Sequence, residues 1–298
     1  MIVSYEWRLV CLSLAVFLLI HTALGLLVAL IATPVARLAE RIRPRVAARL
    51  LLALRLGPCA AAIFVVAAFC IPSYLWLEPE ANAEEVSWLC LAAAVAAAAI
   101  WAGALFKSVR ALFRSSRYAH NCERTDAPVL MLVGVFRPRV VVSRAVLEVL
   151  APDQLNAALR HEQAHQRAGD NFKRLLLAAT PAWGLAGLER AWGRMSEWAA
   201  DDESVDGDSS RCLSLASALV AVARLGCPRQ NPSAASFCGD SDDLARRVDR
   251  LLHPRTFAPA PLRLLSAAGA AALASLVVLT LQPSTLEAAH RLFEHLVH

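Results

Sequence analysis

Three residues near the middle of the chain, His161, Glu162 and His165, have the types and the spacing that a hydrolytic metal centre needs. Residues four apart lie on one face of an α-helix, so both imidazoles can turn a ring nitrogen toward the same ion. Two neutral imidazoles can hold Zn²⁺, and the carboxylate of Glu162 can take a proton from a water in the open position. The pattern arises by chance in roughly one chain of this length in a hundred, so it requires a third ligand and a suitable helix.

The best candidate for the third ligand is Glu197, which lies in the acidic segment 196–203. A helix in this segment aligns Glu197 with Asp201, again four residues apart. Glu197 can then bind the ion, while Asp201 accepts a hydrogen bond from the far nitrogen of a ligating histidine and fixes its tautomer. The alternative is an acidic face exposed to solvent, because Asp202 and Glu203 continue the run of charge.

A helix must carry the two histidines, and the sequence marks both of its ends. Pro152 and Asp153 are typical of a first helical turn, where proline leaves no unpaired N–H and an acid faces the positive end of the helix dipole. Gly169 is a typical stop, after which Asp170 or Asn171 can cap the next helix. The segment is too polar to cross a bilayer, so the candidate metal site belongs to a domain outside the membrane.

The chain has 298 residues, 57% of them hydrophobic, and the apolar residues are clustered. Each cluster reaches the eighteen or so residues that cross a hydrocarbon layer. The prediction is a mainly α-helical, polytopic membrane protein with four transmembrane helices. Three lie in residues 1–106, at about 9–32, 56–77 and 88–106, and the fourth lies in residues 261–282.

The charged residues between these stretches predict the orientation of the chain. The stretch 33–55 carries more arginines than acids, the stretch 78–85 carries only acidic charge, and basic residues follow residue 106. The positive-inside rule places the N-terminus outside, and the basic loop 33–55 and a domain of residues 107–260 in the cytoplasm. The tail 283–298 is then extracytoplasmic. The net charge of +5 is therefore a signal of topology that also suits anionic lipid, and no direct contact with nucleic acid is expected.

Two short β-branched runs, at 128–133 and 139–143, predict a small hairpin or sheet ahead of the histidine helix. Such a strand edge could bind an extended peptide by strand addition, or it could simply brace the helix. The apolar run 175–188 is too short for a further span and is expected to be buried or interfacial. The polar segments 205–210 and 228–241 are expected to be loops.

Taken together, these motifs resemble the BlaR/MecR-type membrane metallopeptidases of the gluzincin group. The likeness rests on residues 134–138 and 140–143, the run 161–165 with Asp170-Asn171, the element 197–201 and Arg246-Arg247-Val248. The resemblance implies a cytoplasmic gluzincin-like zinc peptidase domain in a bacterial-type inner (plasma) membrane. It implies Zn²⁺ bound by His161, His165 and Glu197, with Glu162 as the general base. The implied substrate is a protein or peptide such as a transcriptional repressor.

The better-known members of that family carry a penicillin-binding sensor domain after the fourth span. Here only residues 282–298 follow it, so β-lactam sensing is not expected. Two other functions stay open: a membrane quality-control protease of the HtpX-like group, and a non-catalytic membrane adaptor with a structural zinc site. An additional group should stabilise the oxyanion, and the candidates are Tyr118, His120 and the arginines near residue 246.

Overall fold

The computed structural model describes residues 4–77, 86–122, 128–181, 184–226, 235–236 and 241–253, together with residues 282, 284–285, 287–288 and 291. Within these residues the chain is mostly helical, with a small sheet. Three helices are long and apolar enough to cross a membrane: Tyr5–Ala39, Pro44–Leu77 and Trp88–Phe113. The predicted fourth span at 261–282 and most of the tail 283–298 lie outside the described residues.

The first two helices extend well past their apolar stretches, and the predicted loop 33–55 is wrong as a loop. Helix α1 (Tyr5–Ala39) continues through Pro34, and α2 (Pro44–Val65) begins with a proline at its first position, where a fixed φ favours the helix. Only residues 40–43 join them. The reason is packing: Ala47 and Leu51 of α2 are fully buried at helical spacing, and this stripe shares a core with apolar residues between 177 and 198.

The second candidate span passes from α2 through a π-helical turn, Val66–Cys70, into α3 (Ile71–Leu77). The hydroxyls of Tyr5 and Tyr74 each donate a hydrogen bond to the other residue's backbone carbonyl, at 3.4 and 3.2 Å. These bonds tie the start of α1 to α3. Helix α4 (Trp88–Cys122) contains the third candidate span and extends past residue 106, the predicted end of that span, through the basic stretch that follows.

The predicted hairpin is confirmed. Strand β1 (Leu130–Val133) pairs antiparallel with β2 (Arg139–Val142), with Leu130 opposite Val142. Gly134 leaves β1 at φ +95°, a conformation that L side chains rarely adopt. A third strand, β3 (Ala235–Ser236), pairs with the other edge of β1. It lies in the segment 228–241 that was expected to be a loop, so β1 is the central strand and its two edges are both occupied.

Six helices build the rest of the described domain: α5 (Arg144–Val149), α6 (Pro152–Ala168), α7 (Asp170–Ala179), α8 (Ala186–Val205), α9 (Ser209–Arg224) and α10 (Ser241–Leu252). Helix α6 begins at Pro152 and ends at Gly169, which has φ +69°, as predicted. Its small residues Ala157 and Ala158 are buried against α9, whose Leu215 and Leu219 are fully enclosed. The apolar run 175–188 is divided between the end of α7 and the start of α8, with Thr180 extended between them.

The domain packs directly on the candidate spans. Leu185, Leu188 and Trp192 of the α8 region share a core with Ala47 and Leu51 of α2. One charge is buried in this interface: Arg55 of α2 is 0% exposed, and its Nε lies 2.8 Å from Glu189 Oε1 on α8. Arg55 also donates to the carbonyls of Leu177 and Thr180 at the end of α7. The guanidinium therefore fixes the corner between α7 and α8 to the second candidate span.

Candidate metal centre

Helices α6 and α8 bring the three predicted ligands to one point. The Nε2 atoms of His161 and His165 lie 3.1 Å apart, and Glu197 Oε2 lies 3.4 Å and 3.5 Å from them respectively. In a tetrahedral zinc site with bonds of about 2.0–2.2 Å, neighbouring ligand atoms are roughly 3.3–3.6 Å apart. The three atoms thus have nearly the spacing of one face of a zinc tetrahedron, and this donor set fits Zn²⁺. The two imidazoles are buried, at 0% and 1% exposure.

Each imidazole is oriented by a carboxylate on its far nitrogen. His161 Nδ1 lies 2.9 Å from Asp201 Oδ1, on the same helix as Glu197, and His165 Nδ1 lies 2.7 Å from Asp170 Oδ2. A proton held at Nδ1 by a carboxylate leaves the lone pair of Nε2 free to bind a metal. The structure places Asp201 where the sequence predicted a supporting group. Asp170 is the equivalent support that the sequence reasoning missed.

Asp170 was expected, with Asn171, as a possible helix cap, and this prediction is wrong. Gly169 occupies the capping position, and the carboxylate of Asp170 turns back toward His165. Lys173 Nζ and Ser196 Oγ each donate to Asp170 at 2.8 Å. Burial raises the pKa of Asp170, but His165 and Lys173 outweigh it and lower that pKa to about 2. A hint was present in the sequence, since the aspartate directly follows the glycine that ends the histidine helix.

Asn171 has a separate structural role beside the site. Its side-chain amide donates to the carbonyls of Leu132, at 3.0 Å, and Gly134, at 2.8 Å. It thereby ties the start of α7 to the end of β1. Gln166 of α6 donates to the carbonyl of Pro138 just before β2. The hairpin braces the helices of the site through these bonds. Among the described strands, the outer edges of β2 and β3 are the ones left for strand addition by a peptide.

A buried arginine of α10 contacts the acidic side chains of the site. Arg247 is 1% exposed, and its Nε and Nη2 donate to the two oxygens of Asp201 at 2.8 and 2.7 Å. Its Nη1 lies 3.3 Å from Glu197 Oε2, and Nη2 lies 3.4 Å from His161 Nε2. Burial lowers the pKa of Arg247, but the two carboxylates outweigh it and raise that pKa. The guanidinium is thus fixed against both a predicted ligand and the group that orients His161.

Glu162 stands apart from this network. The residue is 0% exposed, and neither of its carboxylate oxygens has a hydrogen-bond partner among the described residues. Burial raises the pKa of Glu162 to about 7, although the neighbouring imidazoles oppose the shift. A buried carboxylate without a partner is destabilising unless something else uses it. A water held at a metal beside His161 and His165 is such a partner.

The acidic groups also control the protonation of the imidazoles. Burial lowers the pKa of His165, but the carboxylates of Glu197 and Asp170 outweigh it and raise that pKa to about 10. Burial likewise opposes charge on His161, but Asp201 and Glu197 raise its pKa above the ordinary value. The carboxylates therefore stabilise positive charge between them, and either protons on the imidazoles or a bound metal cation can supply that charge.

Of the predicted oxyanion-stabilising groups, the side chains of Tyr118 and His120 lie outside those the structure describes, and Arg247 is the one placed at the site. In the comparisons with known proteins, no family model matches the chain, and neither the curated proteins nor the solved structures contain a match. What distinguishes this site is therefore its own geometry: three convergent ligand atoms, two oriented imidazoles and a buried carboxylate with no hydrogen-bond partner among the described residues.

Proposed function

We propose that this chain is a membrane-bound zinc-dependent endopeptidase of the BlaR/MecR type, which cleaves a protein substrate on the cytoplasmic side of the membrane. One observation carries the proposal: a buried carboxylate with no hydrogen-bond partner in the described part of the chain, that of Glu162, directly follows one of three residues whose ligand atoms have zinc spacing. A structural zinc site has no use for such a carboxylate, so this observation also argues against a non-catalytic adaptor.

Each residue of the centre has a distinct role in this proposal. His161, His165 and Glu197 would hold Zn²⁺. When bound, the ion would polarise a substrate carbonyl and lower the pKa of a water, so that the water can lose a proton as it attacks that carbonyl. Glu162 takes the proton of the attacking water and returns it to the nitrogen of the departing amine. Asp170 and Asp201 keep both Nδ1–H groups in place, so that the Nε2 lone pairs face the ion.

The contacts of Arg247 suit a residue that positions the metal-site carboxylates better than one that binds substrate. Its guanidinium is already engaged by Asp201 and Glu197, so its charge is available to the site mainly through those carboxylates. It stabilises the ionised form of both at a point where burial disfavours charge. The arginines near residue 246 were expected as candidates to stabilise the oxyanion. For Arg247 we propose instead that the guanidinium holds Glu197 and Asp201 in position.

Regulatory signalling is the biological role that the resemblance to BlaR/MecR-type enzymes favours, with a repressor or antirepressor as substrate. A quality-control protease of the HtpX-like group would use the same chemistry on misfolded membrane proteins. Substrates trapped on a Glu162→Gln variant distinguish the two roles. A single regulatory DNA-binding protein indicates signalling, whereas many unrelated membrane proteins indicate quality control.

The deciding experiment compares Glu162→Gln with His161→Ala in the full-length protein in detergent or nanodiscs. Glu162→Gln should retain stoichiometric zinc and lose about 10²–10⁴-fold in cleavage rate, because a general base contributes roughly that factor. His161→Ala should lose both zinc and cleavage. Glu148→Gln is the matched control, because Glu148 is exposed and pairs with Arg144, away from the site. Cleavage by Glu162→Gln at the wild-type rate would rule out the proposed mechanism.

A further inference from the structure

A basic cavity of about 230 Å³ lies between the first turns of α2 and the ends of α6 and α8. Its wall includes Trp192 and several alanines, and four of its lining residues are basic: Arg45, Arg49, Arg167 and Lys173. Among the described residues of the wall, the acidic ones are Asp170 and Glu203. Cations thus outnumber anions in the lining.

Two of the four cations are available to a ligand. Lys173 is paired with Asp170 at 2.8 Å, and Arg167 is paired with Glu203 at 2.9 Å. Arg45 reaches the same Glu203 only at 3.8 Å, and its side chain is 65% exposed. Arg49 is exposed and has no ion-pair partner within the described part of the chain. The cavity therefore has an excess of positive charge at the N-terminal end of α2.

The cavity is separate from the metal site. Asp170 and Ser196, which support His165 from its Nδ1 side, form part of the cavity wall. The Nε2 atom of His165 points the opposite way, toward His161 and Glu197. A ligand in the cavity would therefore lie on the Nδ1 side of His165, away from the place of a peptide substrate.

The cavity lies beside the arginine-bearing first turns of the second candidate span. The apolar run 50–54 separates Arg49 from the buried Arg55, and the apolar part of the candidate span follows. From Arg49 to Leu56 the helix rises about 10 Å. Arginines at the boundary of a bilayer extend their charged ends to the lipid headgroups while their stems stay against apolar surface.

We propose that this cavity binds a phosphate group, and that the phosphate is that of an anionic phospholipid in the leaflet on the side of the candidate metal centre. The guanidinium groups of Arg45 and Arg49 supply the planar, paired donors that phosphate oxygens accept. The proposal does not rest on the proposed peptidase activity, because Arg45 and Arg49 do not contact the metal ligands.

The test measures thermal unfolding of the full-length protein in detergent micelles while phosphatidylglycerol, phosphatidylcholine or inorganic phosphate is added at constant ionic strength. Arg45→Gln/Arg49→Gln removes the two available cations. Arg37→Gln/Arg41→Gln is the matched control, since it removes equal charge from exposed residues of the same basic region that do not line the cavity. Neither pair belongs to the metal site, so zinc content should be the same in both variants.

Phosphatidylglycerol should stabilise the wild type and the control pair alike. The cavity pair should require about thirtyfold more lipid, because each basic residue beside a headgroup contributes about a factor of five to six. Stabilisation by inorganic phosphate that the cavity pair loses would keep the phosphate site and assign it to a soluble ligand. An equal loss in both pairs, or no loss in either, would overturn the proposal, because general attraction to an anionic surface would then explain the binding.

Discussion

Replacing Asp170 by asparagine tests whether the support behind His165 belongs to the metal centre. The carboxylate is 3% exposed and accepts from His165 Nδ1 at 2.7 Å, from Lys173 Nζ at 2.8 Å and from Ser196 Oγ at 2.8 Å. Asparagine has the same size and one carbonyl oxygen. That oxygen can accept from His165, but the amide NH₂ must then face Lys173, whose side chain is 28% exposed and can turn to water.

The expected loss follows from these contacts. The Asp170→Asn variant would keep His165 in the correct tautomer but would lose the negative charge that makes the imidazole a better donor to the metal. Removing such a supporting group typically weakens metal binding by about 10–100-fold, or roughly 1.4–2.7 kcal/mol. Asp170→Ala should fall at or beyond the upper end of this range, because it removes the acceptor as well as the charge.

Zinc affinity should be measured on the full-length protein by competition with a chromophoric chelator at fixed pH. Asp153→Asn is the control, because Asp153 lies on the same helix as the histidines but is exposed and accepts a hydrogen bond from Ser214, away from the site. A dissociation constant for Asp170→Asn indistinguishable from the wild-type value would show that the His165–Asp170 contact does not support a metal ligand.

Further changes probe the shell, the interface and the hairpin. Asp201→Asn should lose zinc more severely than Asp170→Asn and should lower the free energy of unfolding by about 3–5 kcal/mol, because it removes the charge that pairs with the buried Arg247 as well as the charge that supports His161. Thermal unfolding with and without zinc separates the two effects. Arg55→Leu should destabilise the protein by about 2–3 kcal/mol through loss of charged hydrogen bonds, and an unchanged melting temperature would show that this contact is dispensable. Gly134→Ala should lose about 1–3 kcal/mol, since φ is +95° and an added Cβ would meet a backbone oxygen at 2.8 Å; unaltered thermal stability would contradict that strain. Zinc affinity should fall at least about tenfold for each pH unit lowered between about pH 9 and 6, because zinc must displace a proton from His165, whose pKa is about 10, and towards lower pH a second proton from His161, whose pKa is also raised. An affinity independent of pH would exclude this competition.

The residues predicted as metal ligands were the most predictable part of the site because their spacing is local. His161 and His165 lie one helical turn apart on α6, and a four-residue spacing also relates Glu197 to Asp201 on α8. A helical period is enough to place each pair on one face. The same logic predicted the hairpin, whose two strands are separated by a short turn containing Gly134.

The groups that the sequence did not reveal depend on long-range packing. Arg247 reaches Asp201 from a position 46 residues later. The helical spacing of Leu244, Val248 and Leu251 places Arg247 on the buried face of α10, but it does not indicate which carboxylates the guanidinium meets. Asp170 was assigned to a helix cap because local rules favour acids there. Strand β3 was missed because two residues of strand in a polar, turn-rich segment have no periodic signal of their own.

The prediction that residues 33–55 form a loop was wrong for a different reason. A run of arginines between apolar stretches is a strong signal of topology, but charge does not prevent helix formation. Arg45 and Arg49 lie on one side of α2, while Ala47 and Leu51 on the other are fully buried. The charge pattern thus predicts the side of the membrane on which the segment lies, whereas its apolar residues determine its conformation.

Helix α8 connects the candidate spans to the candidate metal centre. Leu188, Trp192 and Met195 of α8 pack in a core shared with α1 and α2, and Glu189 holds the buried Arg55. Glu197 of the candidate metal centre lies about 12 Å further along the same helix. A rigid helix transmits the position of one end to the other, so the predicted third ligand is placed by contacts with the candidate spans. The part of the chain that carries the candidate metal centre therefore shares its core with the candidate spans, and removal of the first two helices should expose an apolar face of α8 and weaken zinc binding, which metal analysis of the truncated protein would measure.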